Sequence, residues 1–225
     1  MCAVNKVVTI EEAISHVKDG DRIMVGGFGL RGAPDDLIDA LVAANKKNLT
    51  IISNDLGSPN IGLGKLLTNG LISEVIGNFY NWNTDVAEAK NAGRIKATLI
   101  PQGSFAESIR AAGCGIPAYF TLASAGTELG KDKETRTFEV NGKKRRYVLE
   151  YALVADVALI KADTADEYGN LVYCKSARNF NPAMAMAAKY TIAQVDNIVN
   201  PGDLDPECII TPHLFVNAIV QGGKQ

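Results

Sequence analysis

The residues able to do chemistry in this chain gather at a few turns. Gly26-Gly27-Phe28-Gly29-Leu30-Arg31-Gly32 places four glycines in seven residues, directly after the apolar run Arg22-Ile23-Met24-Val25. That is more glycine than a plain turn needs, and bare backbone lets amide N–H groups approach an anion or a polarised carbonyl closely. Ser53-Asn54-Asp55 and Pro101-Gln102-Gly103 each follow another apolar run. The side chains of Asn54, Asp55 and Gln102 carry donors and acceptors that could meet a ligand at these strand tips. Loop-capping hydrogen bonds are the alternative role for all three.

Read literally, Gly27–Gly32 is G-x-G-x-x-G between a strand and a helix, and Asp55 stands after the next strand, where a ribose-binding acid would fall. A stand-alone nucleotide-binding α/β protein, holding NAD on a Rossmann-like unit, is the rival reading. Pro34 argues against it. Proline suits the first helical position, so the helix is predicted to start after Gly32, whereas the third glycine of the dinucleotide fingerprint lies inside its helix.

These turns must be held by the elements around them. Thr9-Ile10-Glu11-Glu12 reads as a capping box opening a helix that runs to about Lys18. Extended runs at Arg22–Gly26, Leu49–Ser53, Ile72–Ile76 and Lys96–Ile100 alternate with helical segments after Pro34 and at Gly62–Thr68, Asp85–Asn91 and Ser104–Ala112. Such alternation predicts an α/β fold: a mostly parallel sheet covered by helices on both faces. The strand tips at Gly26, Ser53, Gly77 and Pro101 then open onto one edge, where ligands bind in such sheets. Thr135–Val140 and Lys143–Leu149 flank Asn141-Gly142 and predict a β-hairpin, so the fold carries a small β-rich appendage. Its Lys143-Lys144-Arg145-Arg146 cluster is read as a solvated strand, with a phosphate site as the alternative. Met184 and Met186 read as core filler. With no repeats or linker, residues 1–225 are expected to form a single domain.

Composition narrows the function classes. The 225 residues are 47% hydrophobic and 21% charged, and 23 Lys+Arg against 25 Asp+Glu give a net charge of −2. Such a balance offers no field for gripping nucleic acid or an anionic membrane. No apolar run approaches the roughly 20 residues of a membrane span, and the first residues, Met1–Lys6, lack a secretory segment, so a cytoplasmic location is expected. Cys2, Cys114, Cys174 and Cys208 form no C-x-x-C pair, and His16 and His213 are the only histidines. No metal site is expected, and the cysteines read as free thiols of a reducing compartment.

From Asp19-Gly20 through Met24-Val25-Gly26-Gly27-Phe28 to Gly32-Ala33-Pro34 the chain resembles the signature of the alpha subunit of family I CoA-transferases. Ser53-Asn54-Asp55, Pro101-Gln102-Gly103, Ala106-Glu107-Ser108-Ile109-Arg110 and Ser176-Ala177-Arg178-Asn179-Phe180-Asn181-Pro182 continue the likeness across nearly the whole length. The resemblance implies transfer of CoA between an acyl-CoA and a free carboxylate, with CoA as substrate and no permanently bound cofactor. The family's nucleophile is a glutamate that passes through an anhydride to a glutamyl-CoA thioester, which splits one difficult exchange into easier steps. In two-subunit members it lies in a Ser-Glu-Asn-Gly-like turn of the beta subunit. No such turn occurs here: Glu74, Glu107, Glu139 and Glu167 all stand in other contexts. The resemblance therefore implies half an enzyme without a catalytic residue of its own, in an α2β2 hetero-oligomer with a beta subunit. Gly26, Gly27, Phe28, Gly29, Leu30, Arg31 and Gly32 would contact CoA, and Asn54, Asp55 and Gln102 the substrate.

Ser53-Asn54-Asp55 is similar to the alpha subunits of acetate– and butyrate–acetoacetate CoA-transferases, where succinyl-CoA:3-oxoacid CoA-transferases tend to carry Ser-Asn-Asn. An acid at the pocket edge would repel a second substrate carboxylate, so a monocarboxylate is expected. Phe79, Tyr80 and Trp82 depart from both patterns and either reshape the acyl pocket or pack against the partner. Arg178 is read either as a carboxylate partner or as structural.

Overall fold

The computed structural model describes residues 4–223, so the expectations placed on Cys2 and the extreme N-terminus lie outside it. The first half alternates strictly: α1 (Ile10–Ser15), β1 (Arg22–Val25), α2 (Asp35–Ala44), β2 (Leu49–Ile52), α3 (Gly64–Thr68), β3 (Ile72–Gly77), α4 (Thr84–Asn91), β4 (Lys96–Leu99) and α5 (Gln102–Gly113). The second half is richer in strand. It comprises β5 (Ala118–Thr121), β6 (Thr135–Val140), β7 (Lys143–Tyr151), β8 (Ala155–Asp166), β9 (Leu171–Val172), α6 (Asn181–Ala187), β10 (Ala188–Val199) and β11 (Ala218–Gln221), with short 3-10 turns between.

The main sheet runs β11-β10-β8-β1-β2-β3-β4, and every neighbouring pair on that path is parallel. β9 adds antiparallel to β8, and β5-β7-β6 form a separate antiparallel sheet. Because side chains alternate along a strand, Ile23 and Val25 enter one core while Met24 between them enters the other. The first core packs α1 to α4 on the sheet, through residues such as Leu37, Leu41 and Leu66. The second packs α5 and α6 on the opposite face, with Phe105, Ile109 and Met184 fully buried. Burial on both faces explains the near-continuous apolar strands.

Local signals act where expected, with corrections at element ends. Thr9 Oγ accepts the Glu12 N–H at 3.1 Å, yet α1 ends at Ser15 rather than near Lys18. There the backbone turns, and the Asp21 carboxylate takes up the Lys18 N–H. Pro34 stands just outside α2 rather than at its first position, with ψ at 74°. Asn141 and Gly142 both have positive φ, 53° and 71°, as a two-residue hairpin turn with the sheet's twist requires. Lys143 to Arg146 are exposed on the hairpin strand. Met184 is core filler, and Met186 packs against Gly113 where α5 meets α6.

Candidate active site

Since β1, β2, β3 and β4 lie side by side and parallel, their C-terminal ends share one edge. The glycine loop leaves β1 there, Asn54-Asp55 leaves β2, Asn78 to Trp82 leave β3, and Pro101 leads from β4 into α5. Together they wall a cleft of about 460 Å³ lined by Phe28, Asn54, Asn78, Phe79, Trp82 and Gln102. Another groove, about 350 Å³ between α4 and β4, is walled by Val86, Ala87, Ala97 and Leu99 and holds none of the sequence-predicted site residues. The chemistry converges on the first.

The glycine loop is folded on itself. Phe28 and Arg31 exchange both backbone hydrogen bonds, at 3.0 and 3.2 Å. Gly26 N–H goes to Leu159 O, Gly27 N–H to Asn179 Oδ1 and Gly29 N–H to Asp55 Oδ2, which leaves Leu30 and Gly32 as the loop amides without a partner among the described residues. The loop therefore offers a ligand fewer bare amides than its glycine count suggests. Glycine is needed for shape instead. Gly32 has φ +70°, and a Cβ on it would stand 2.4 Å from Ala177 O; Gly29 has φ +60° and packs on the Trp82 ring. Of the loop's side chains, Phe28 lines the cleft, while Leu30 and Arg31 are exposed.

Two residues that the sequence did not single out hold this loop from behind. Asn179 Oδ1 accepts from Gly27 N–H at 3.1 Å while its Nδ2 donates to Arg31 O at 3.0 Å. Asn181, fully buried, donates to Gly32 O and Ala177 O and accepts the Lys161 N–H. Both lie beside Arg178, which is exposed and makes no ion pair among the described residues. Asparagine clustered between a strand and a Pro-led helix was the available signal.

The helix after the glycine loop is closed to a pyrophosphate. Gln194 of β10, itself buried, accepts the Asp36 and Leu37 N–H groups with Oε1 at 3.1 and 3.3 Å, and its Nε2 donates to the Asp36 carboxylate. These are the free first-turn amides a dinucleotide would use. The Rossmann-like reading is not favoured.

Asp55 is 4% exposed and sits behind the cleft wall rather than in it. Oδ2 accepts from Gly29 N–H at 2.7 Å and Asn54 Nδ2 at 2.9 Å, and Oδ1 accepts from Gly57 N–H at 2.9 Å. Its charge is thus satisfied inside the protein, which removes the basis for repulsion of a substrate by Asp55 at the pocket edge. Beside it, the buried Tyr80 hydroxyl has no partner among the described residues; burial, then the nearby Asp55 and Glu74 charges, push its ionisation far up, so Tyr80 stays neutral.

Gln102 is the first residue of α5, not a loop residue as expected, because Pro101 turns the chain straight into the helix. It is exposed, and its Oε1 accepts from Asn78 Nδ2 at 2.6 Å, leaving Nε2 for an occupant of the cleft. The first-turn amides of α5 add positive potential at the same place. No carboxylate lines the cleft. Glu74 bonds Thr98 and Lys96; Glu107 is chelated by Arg110, which holds its carboxyl below the usual range; Glu139 is exposed on β6; Glu150 is buried against Lys133. The loops around the cleft also expose Phe28, Leu30, Ile61, Phe79 and Trp82. So large an apolar rim is a feature of interaction surfaces.

The cleft is thus a sheet edge that presents side-chain amides and a helix N-terminus, with no carboxylate among its lining residues. The family model for "Coenzyme A transferase" matches residues 7–222, and the chain belongs to that family. It is 50% identical over 220 residues to the A-type polypeptide of 3-oxoadipate CoA-transferase from Pseudomonas putida, covering 96% of this chain and 94% of the relative. It is 45% identical over 222 residues to the corresponding polypeptide of succinyl-CoA:3-ketoacid coenzyme A transferase from Helicobacter pylori, covering 98% and 94%. Glutaconate coenzyme A-transferase from Acidaminococcus fermentans shares the fold, with TM-score 0.81 at 22% identity over 96% of this chain and 75% of that one. The chain is an alpha-type subunit of a family I CoA-transferase. Among the described residues, no helix is long and apolar enough to cross a membrane.

Proposed function

We propose that this subunit serves a cytoplasmic CoA-transferase that exchanges CoA between a short-chain acyl-CoA and a free carboxylate, with a 3-oxo acid as one of the pair. It works in an α2β2 hetero-oligomer whose beta subunit supplies the nucleophilic glutamate. The observation that carries this reading is a cleft furnished for a carboxyl group that contains no carboxylate able to attack one. Two relatives named for 3-oxo acids support the substrate class.

In the proposed sequence the partner's glutamate attacks the thioester carbonyl. The C–S bond breaks, CoA leaves as thiolate and an acyl-glutamyl anhydride forms. The thiolate then attacks the glutamyl carbonyl, releasing the free carboxylate and leaving a glutamyl-CoA thioester, and the acceptor carboxylate retraces both steps. Gln102 Nε2 and the start of α5 stabilise charge on the reacting carboxyl group. Residues 26–32 shape the wall along which CoA enters, and Phe28, Phe79 and Trp82 enclose the acyl chain. The test is transfer from acetyl-CoA or succinyl-CoA to acetoacetate by co-expressed alpha and beta subunits. Transfer at enzymatic rates is expected; a folded complex that serves no 3-oxo acid would refute the reading.

A further inference from the structure

The glycine loop is a closed block between two hinges. Phe28 and Arg31 close it with their paired backbone hydrogen bonds, and the residues on either side, Gly27 and Gly32, have φ of +124° and +70°. Both values lie in the region that glycine enters freely, so the block can turn about these points as a unit. One side chain spans both hinges. Asn179 Oδ1 accepts from Gly27 N–H at 3.1 Å, and its Nδ2 donates at 3.0 Å to Arg31 O, the carbonyl directly before Gly32. Asn179 itself stands in a sparsely populated conformation, with φ 23° and ψ −120°. A non-glycine residue there carries strain that glycine would relieve, so the backbone alone does not explain an asparagine at this position. Its amide does, because a side chain lacking either the acceptor or the donor frees one end of the block.

We propose that Asn179 is a positioning residue for the transfer reaction: by pinning both hinges of the glycine loop it fixes where Phe28 stands in the cleft wall before substrate arrives. Asp55 holds only the tip of the block, through Gly29 N–H, so without Asn179 the block swings about that single tie. Gln102 stands on α5 and bonds Asn78, so its free donor stays in place when the loop is loosened. Loosening therefore weakens acyl-CoA binding, because ordering a mobile wall draws on binding energy, while the donor that stabilises charge is untouched. The inference rests on the CoA-transferase reading and adds to it a residue that does not itself line the cleft.

The experiment measures kcat, KM and Tm of the assembled alpha–beta enzyme with acetoacetate as acceptor and, as donor, whichever of acetyl-CoA and succinyl-CoA the wild type uses. N179G removes the amide and the strain together; the two changes oppose each other in stability, so Tm is expected to stay near that of the wild type. Its KM for the acyl-CoA is expected to rise about tenfold with kcat within about twofold. N179D keeps the acceptor for Gly27 N–H but loses the donor to Arg31 O, and its KM is expected to fall between those of the wild type and N179G. A clamp that only stabilises the fold would lower Tm and leave the KM of the surviving enzyme alone. Wild-type KM in both variants, or a fall in kcat without a rise in KM, therefore overturns the proposal. Should N179G fail to assemble, the KM of N179D decides alone. Absence of transfer by the wild type would instead count against the CoA-transferase reading itself, so the two failures are distinguishable.

Discussion

The Asp55 carboxylate accepts the Gly29 N–H at 2.7 Å, tying the tip of β2 to the loop that grows from β1. A buried carboxylate answered only by N–H groups fixes geometry without presenting charge to the cleft. Through this contact the two neighbouring strand ends act as one wall.

Replacing Gln102 by Ala in the assembled enzyme removes the donor at the start of α5. Loss of one oxyanion donor is worth roughly 2.7–4 kcal/mol, so turnover is expected to fall about a hundred- to a thousandfold. Gln102 is exposed and its partner Asn78 is only partly buried, so stability should drop by no more than about 1 kcal/mol. Turnover measured alongside Tm decides; unchanged turnover in a stable complex would remove Gln102 from the site.

Gly26 is packed against the loop's buried clamp. A Cβ there would lie 1.8 Å from Asn181 Oδ1, and Asn181 is fully buried with its polar atoms engaged. Gly26→Ala is therefore expected to lower stability by about 3 kcal/mol or to unseat the loop. Denaturant unfolding measures it, and a Cm equal to wild type would show that the clamp yields freely.

These two residues illustrate what the sequence reveals. The strands preceding Gly26, Asn54, Asn78 and Gln102 were legible because alternating apolar runs and turn residues are local signals. So was the Asn141-Gly142 turn. The Gln194 cap on α2, 158 residues from Asp36, was not, nor was the Asn179–Asn181 clamp. Such polar contacts are set by topology, and a lone Gln in an apolar strand carries no local mark of its partner. The boundary at Gln102 failed for a smaller reason: Pro101 reads equally well as the end of a strand or the residue before a helix.

Gln194→Ala leaves the Asp36 and Leu37 N–H groups without their acceptor at a buried helix start. Loss of such a cap is expected to cost about 1–2 kcal/mol, visible as a lower Tm of the protein. A Tm within error of wild type would contradict the assignment.

Asp156 bridges three strands: it accepts from Lys189 Nζ at 2.8 Å and from Arg22 N–H at 3.0 Å. The Lys189 hydrogen bond, then that from Arg22, lower its pKa from the ordinary 3.8. A lowered folded-state pKa means the contribution is complete above 3.8 and is lost as pH falls through the lowered value. With the carboxylate about one-third exposed, the effect stays below about 1 kcal/mol. In D156N the acid limb of the Tm–pH curve should be shallower below about pH 4; an unchanged limb would rule the pair out.

That this chain positions substrate while a partner attacks it is tested most directly by locating the covalent intermediate. Acyl-CoA is incubated with this chain alone, with the separately purified beta subunit, and with the assembled complex, and intact-mass analysis finds which polypeptide gains CoA. No adduct and no turnover are expected for this chain alone, and in the complex a CoA adduct on the beta subunit only. A CoA thioester on this chain, or CoA exchange by this chain in isolation, would contradict that division of labour.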